Sequence, residues 1–283
     1  PGPGQQQRLR HALAQGRVPQ ALLLAGPRGV GKTSVARILA KALNCERGPT
    51  PDPCDRCGLC QEIAAGRCVD VVEIDGASHT GVDDVRELRE AMRYLPARGR
   101  YRVYIVDEVH MLSLSAFNAL LKAIEEPPPH VVFVFATTEP HKLPPTVISR
   151  CQRFNFRRIP PRLLEEHLWR VARQEGIRAE AEALRLLAQE AAGSLRDGEV
   201  LLEQLASYGD GEVTLEALQE VLGMVSPELV RQLADALVRR DARTCLRLVE
   251  RAYAEGQDLR RLYEQLMELL YRMMRFRLDP EGA

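Results

Sequence analysis

Gly26-Pro27-Arg28-Gly29-Val30-Gly31-Lys32-Thr33 has the spacing G-x-x-x-x-G-K-[ST] and follows the apolar run 21–25 without a gap. Glycines let such a turn wrap closely around phosphate oxygens with its backbone N–H groups pointing inward. A helix starting near Lys32, and running through Ser34 to about Leu43, adds the partial positive charge of its N-terminus. Lys32 can neutralise β- and γ-phosphates, and the Thr33 hydroxyl can hold Mg²⁺. A tight turn in an unrelated α/β protein is the alternative; the full motif, with a strand before it and a helix after it, favours a nucleoside triphosphate site.

A second acidic signature lies downstream. Arg102-Val-Tyr-Ile-Val-Asp107-Glu108 is an apolar strand that ends in two acids. Asp107 at the mouth of a sheet suits Mg²⁺, held through water. Glu108 suits a general base that orients the water attacking the γ-phosphate. Thr137-Thr138 follow another apolar run, where a hydroxyl either senses the γ-phosphate or simply begins a polar loop. Arg150, in Ser149-Arg150-Cys151, reads by itself as a solvated surface cation. Ser194 and Asp197 form a helix capping pair, and Arg196 between them reaches a phosphate only if the helical region folds over the nucleotide.

Cys45, Cys54, Cys57 and Cys60 are spaced C-x8-C-x2-C-x2-C. Four thiolates in so short a segment can close a tetrahedral Zn²⁺ site with no open position, which is structural and not catalytic. Disulfides and an iron–sulfur cluster are the alternatives. The intervening stretch 48–53, rich in proline and glycine, has no core-forming ability, so the metal is expected to supply the fold of this insertion. Cys68, Cys151 and Cys245 are isolated and read as small buried apolar residues.

The elements that must position these groups follow from hydrophobic pattern. Apolar runs at 21–25, 70–74, 102–106, 131–136 and 152–156 alternate with helical stretches at 33–43, 83–93 and 115–126, the last stopped by Pro127-Pro128-Pro129. Near-continuous apolar strands between helices predict a doubly wound parallel sheet covered on both faces. After about residue 158 no further strand is expected. Leu164, Leu168 and Val171, then Leu184, Leu187 and Ala191, then Leu195, Leu202 and Leu205 recur at helical spacing, with breaks at Gly176, Gly193 and Gly209-Asp210-Gly211. From Ser226 another helical region begins, and Leu259, Leu262, Leu266, Leu269 and Met273 are expected on one face of a long helix.

Bulk properties narrow the class. At 283 residues, with 45% hydrophobic and 28% charged residues, the chain suits two or three ordinary globular domains. Zero formal net charge confines any nucleic-acid contact to a local basic patch. No stretch approaches the roughly 18 apolar residues of a membrane span. Seven cysteines without an export signal point to reduced thiols and a cytoplasmic location, and the start at Pro1-Gly2-Pro3-Gly4 reads as a trimmed end.

Together, the loop 26–33, the four-cysteine insertion, Val106-Asp107-Glu108-Val109-His110, Ala136-Thr137-Thr138-Glu139-Pro140, Leu195-Arg196-Asp197 and above all Ser149-Arg150-Cys151 resemble the gamma/tau family of bacterial DNA polymerase III clamp-loader subunits, which are AAA+ ATPases. The resemblance runs from about Gly4 to Leu222. It implies an AAA+ P-loop NTPase domain at 1–157 with a zinc module at 45–60, an all-α three-helix lid at 158–222, and a partial helical collar at 223–283. It implies that ATP is the nucleotide, that Thr138 is a first sensor and Arg196 a second, and that Arg150 is a finger supplied in trans to a neighbour's ATP. The partners implied are other clamp-loader subunits in a five-membered ring, the sliding clamp and primer–template DNA; Arg86 or Arg100 could contribute to phosphate contact, but neither carries a motif and both read as surface charges. The family's adenine-holding N-terminal segment is expected to be mostly missing and the collar cut short, leaving a monomeric piece. A scaffold that holds partners without hydrolysis, or another AAA+ DNA motor such as a Holliday-junction helicase, are the rival readings; the cysteine insertion and Ser-Arg-Cys disfavour the latter.

Overall fold

The computed structural model describes residues 3–16, 18–78, 88, 90–223 and 225–278. These fall into two compact units, one running to Pro161 and taking in Ala191–Asp197, the other comprising Arg162–Glu190 and the chain from Gly198.

In the first unit a helix, α1 (Pro3–Ala14), leads into β1 (Ala21–Ala25), α2 (Lys32–Asn44) and the short α3 (Gly58–Ala64). Then come β2 (Val71–Asp75), β3 (Arg102–Asp107), α4 (Leu114–Glu125), β4 (Val131–Thr137), α5 (Pro145–Ile148) and β5 (Gln152–Asn155). The strands make one parallel sheet in the order β2-β3-β4-β1-β5. Both faces are covered, which is why the strands read as unbroken apolar runs. Leu22, Leu24, Val103, Ile105, Val132 and Val134 face one core with residues of α2 and α3. Alternate residues, Leu23, Tyr104, Val106, Phe133 and Phe135, face a second core with Phe117 and Leu120 of α4. The period-two alternation thus serves two cores at once.

The expected strands lie within one or two residues of the observed ones, and the helix expected at 33–43 is α2. Most of the helix expected at 83–93, with Arg86, lies outside the described residues. Three expectations need correction. The cysteine insertion is not held by metal chemistry alone: α3 buries Leu59, Cys60 and Ile63, and Leu59 and Ile63 join the core beneath α2. The β signal does not end at residue 158, because β6 (Arg178–Ala179) pairs in parallel with β7 (Glu212–Val213), a pair too short to leave a hydrophobic pattern. Cys68 is buried, but Cys151 and Cys245 are only half-buried.

Among the described residues the second unit is helical apart from that pair: α6 (Pro161–Gln174), α7 (Ala181–Glu190), α8 (Leu195–Tyr208, whose first turn belongs to the first unit), α9 (Leu215–Val221), α10 (Pro227–Val238), α11 (Ala242–Ala254) and α12 (Leu259–Leu278). Leu164, Leu168, Leu184, Leu187, Leu202 and Leu205 are all buried, as their spacing predicts. Leu229, Leu233, Leu248 and Leu262 form a further core, against which Leu266 and Leu269 pack. Leu259 and Met273 share that face by helical spacing, but they lie before and beyond the packed stretch and are exposed. Among the described residues no helix is long and apolar enough to cross a membrane.

Candidate nucleotide site and cysteine cluster

The turn between β1 and α2 sits at the carboxyl edge of the sheet, where parallel α/β folds bind ligands. Gly26 needs to be glycine for space: a Cβ there would lie 2.6 Å from the Phe156 carbonyl oxygen. Gly29 and Gly31 have φ of 74° and 89°, the left-handed region that other residues enter at a cost. Lys32 is buried, and its Nζ donates to the carbonyls of Gly26 at 3.0 Å and Pro27 at 2.8 Å. Burial lowers its pKa, against the pull of Glu108 and Asp107.

Strand order decides what faces this turn. Because β4 lies between β1 and β3, Ala25 stands opposite Thr137 and Val106 opposite Phe135, so the ends of all three strands meet at one edge. Thr33 Oγ1 donates to Asp107 Oδ2 at 2.6 Å across that edge. Glu108 adopts a left-handed backbone, φ 43° and ψ 47°, a conformation that costs a non-glycine residue energy and clusters at functional sites. Thr138 donates from its N–H at 3.1 Å and its hydroxyl at 2.9 Å to Glu108 Oε2. Gly76, after β2, closes the acidic side: its N–H donates to the Asp107 carbonyl at 2.8 Å, and a Cβ would sit 2.6 Å from the Glu108 carbonyl oxygen.

The segment carrying Arg196 also comes to the loop. Leu195 N–H donates to the Gly29 carbonyl at 2.8 Å, and a Cβ on Gly29 would meet Ser194 Oγ at 1.9 Å and Arg196 Cβ at 3.5 Å. Ser194 Oγ accepts from Asp197 N–H at 3.2 Å, the expected cap. Arg150 lies apart from this assembly, after α5, where its guanidinium pairs with Glu125 at 2.8 Å and donates to the Thr146 carbonyl at 2.9 Å. Geometry therefore gathers Lys32, Thr33, Asp107, Glu108, Thr138 and Arg196 within one unit and leaves Arg150 outside the gathering.

The four cysteines converge independently. Cys45 caps the end of α2, and Cys57 and Cys60 begin α3. Their Sγ atoms and that of Cys54 all lie within 4.8 Å of one another. Tetrahedral Zn–S bonds of about 2.3 Å need sulfurs roughly 3.8 Å apart, so the donor set and spacing fit such an ion. Backbone N–H groups of Arg56 and Cys57 pull the Cys54 thiol down to about 6, whereas burial pushes Cys60 up to about 12. Arg100 is exposed, and its guanidinium also donates to the carbonyls of Cys45 at 2.5 Å and Glu46 at 3.0 Å. Gly76 carries no motif that would mark it; its role arises from close approach between distant segments.

Three family models match the chain: "DNA polymerase III, delta subunit" over residues 3–160, "DNA polymerase III clamp loader subunit, ATPase lid domain" over 163–211, and "DNA polymerase III subunits gamma and tau domain III" over 213–283. The DNA polymerase III subunit gamma of Buchnera aphidicola subsp. Acyrthosiphon pisum is 40% identical over 263 residues, 93% of this chain and 73% of the relative. The chain belongs to the DNA polymerase III gamma/tau family. The tau subunits of Escherichia coli and Bacillus subtilis are 45% and 41% identical, each over 96% of this chain. This gamma/tau chain spans 42% of the length of the former and 48% of the latter. Among solved structures, the RuvB Holliday junction branch migration motor of Thermotoga maritima aligns with a TM-score of 0.57 at 20% identity, over 84% of this chain and 76% of that one. That likeness shows the AAA+ fold; the family models and relatives, not the fold, separate gamma/tau from the branch-migration motors.

Proposed function

We propose that this gamma/tau chain is an ATP-driven clamp-loader subunit that hydrolyses ATP, with an arginine from a neighbour, to place the sliding clamp on primed DNA. The single observation that carries the reading is the meeting of the loop Gly26–Thr33, the acids Asp107 and Glu108, and Thr138 at the carboxyl edge of one sheet. Backbone amides of Gly29, Val30, Gly31, Lys32, Thr33 and Ser34 would cradle the phosphates, with Pro27 and Arg28 at the mouth of the turn. Lys32 would leave its carbonyl partners for the β- and γ-phosphates. Thr33 and Asp107 would hold Mg²⁺, which offsets the charge of the triphosphate. Glu108 takes the proton of the attacking water as the new P–O bond forms and the bond to the β-phosphate oxygen breaks, releasing ADP. Thr138 reads the γ-phosphate and Arg196, beside Gly29, reads it from the other side.

Arg150 is the finger supplied in trans, consistent with its place outside its own site; it exchanges Glu125 for a neighbour's phosphate only on assembly. Turnover then depends on a seated neighbour, because transition-state charge is neutralised only there. Cys45, Cys54, Cys57 and Cys60 hold Zn²⁺ as a structural ion that ties the end of α2 to α3. The lid at 158–222 and collar at 223–283 join this subunit to others of a cytoplasmic ring. The test is steady-state ATPase of the full-length subunit in the assembled loader, with clamp and primed DNA. Stimulated turnover is expected; turnover no higher than that of the Lys32→Ala assembly overturns the motor reading and favours a scaffold.

A further inference from the structure

His110 follows the acidic pair on the short turn Val109–Met111, and only 6% of its side chain is exposed. A ring so buried is costly without polar partners; here Nδ1 is hydrogen-bonded and Nε2 faces a carboxylate. Nε2 lies 3.2 Å from Glu139 Oε2. Lys142 bonds the same carboxylate at 2.7 Å and holds its pKa below the usual range. An ionised carboxylate only accepts, so Nε2 carries the proton. Nδ1 lies 3.0 Å from Thr137 Oγ1 and 3.3 Å from Glu108 Oε2. Thr137 is fully buried, and its Oγ1 also accepts from the Glu139 N–H at 3.0 Å. The imidazole therefore grips the residues on both sides of Thr138, whose own N–H and hydroxyl both point at Glu108 Oε2.

We propose that His110 is a positioning residue for hydrolysis: by bridging Thr137 and Glu139 it holds Thr138 against Glu108 and so fixes the carboxylate that receives the water's proton. The inference rests on the ATPase reading above. A histidine that merely filled space could be replaced without moving the 137–139 segment, whereas this one ties the end of β4 to the acids after β3 through both nitrogens. Neither Lys32 nor the phosphate-binding turn touches the ring among the hydrogen bonds and ion pairs described, so nucleotide affinity is separable from its role.

The experiment compares His110→Ala, His110→Asn and His110→Gln in the full-length subunit within the assembled loader. Asparagine places an amide near the Nδ1 position and glutamine one near Nε2. His110→Ala is expected to lower stimulated kcat by about ten- to a hundredfold, with KM and the calorimetric Kd for ATP within about twofold, and to speed amide exchange at 137–139. One of the two amide variants recovers part of both losses. Turnover of His110→Ala within about twofold of the unaltered protein, or unchanged exchange at 137–139, overturns the proposal. Glu108→Gln is the reference: if the unaltered assembly turns over no faster than this variant, the ATPase reading fails, and the exchange data still decide whether His110 holds the segment.

Discussion

In the turn after β1, the lysine and the hydroxyl already have protein partners: Lys32 rests on two carbonyls, Thr33 on Asp107, and the neighbouring acid Glu108 on Thr138. In the cysteine insertion, four sulfurs face one another and their other polar neighbours are weak backbone donors, such as Cys54 N–H to Cys45 Sγ and Cys57 N–H to Cys54 Sγ. The first region is arranged by the sheet beneath it and by hydrogen bonds among its own residues. The second has one anchored side, α3, and one side, 48–55, with little apolar surface to hold it. A phosphate ligand should therefore change what the first region does, and a metal should change whether part of the second stays folded.

The largest effect expected is on chemistry across subunits. Arg150→Ala should leave ATP affinity of the assembled loader unchanged while stimulated kcat falls by about a thousandfold; turnover within about threefold, measured at saturating ATP, removes the trans role. Next, Lys32→Ala should weaken ATP binding by about a hundredfold or more, since a buried cation facing the phosphates is lost, with the circular dichroism spectrum unchanged. A loss of fold instead would break the comparison, because it would make the turn depend on its own lysine for shape.

Smaller effects probe the insertion. Cys54→Ser, or a strong chelator, should bring zinc by elemental analysis from one per chain to none and lower Tm by several degrees, at about 2–4 °C for each kcal/mol lost. Retention of Tm on complete removal would mean that α3 alone holds the module. Beside it, Asp70 is 2% exposed and accepts from the N–H groups of Ala97, Arg98 and Gly99 at 2.6, 2.8 and 2.7 Å. Burial pushes its carboxyl up, but the amides of Gly99, Arg98 and Ala97 outweigh that and hold the pKa below the usual range. Its contribution is then complete above the ordinary aspartate pKa and lost as pH falls below about 4 toward the lowered folded value. Asp70→Ala should cost about 2 kcal/mol in urea unfolding at pH 7, and the difference from the unaltered protein should shrink in acid.

The sheet was readable because two-sided burial leaves uninterrupted apolar runs, and the nucleotide turn because phosphate binding demands residue types at fixed spacing. The cysteines were readable for the same reason. What stayed hidden depends on contacts between distant segments. Glu108 has an ordinary residue type and an unusual backbone, and Gly76 passes close to its carbonyl; neither feature leaves a mark in the residue pattern. Arg100 is the surface cation its type suggests, but no pattern shows that its guanidinium rests on the Cys45 and Glu46 carbonyls. His110 formed part of a recognisable string, yet its work lies with Thr137 and Glu139, whose proximity follows from strand order. The exposure of Leu259 and Met273 was not legible either: they share a side of α12 with Leu262, Leu266 and Leu269, but lie before and beyond the packed stretch, and a hydrophobic pattern does not say how far along a helix its partners reach.

The crowding of Gly29 against Ser194 makes two positions, 165 residues apart in the chain, behave as one unit of mutation. Any side chain at 29 collides with the hydroxyl at 194, and shrinking Ser194 to glycine relieves the collision but not the left-handed backbone at 29. An engineer who wishes to stiffen that turn is thus better served by alterations elsewhere, because here no paired exchange reaches a comfortable solution.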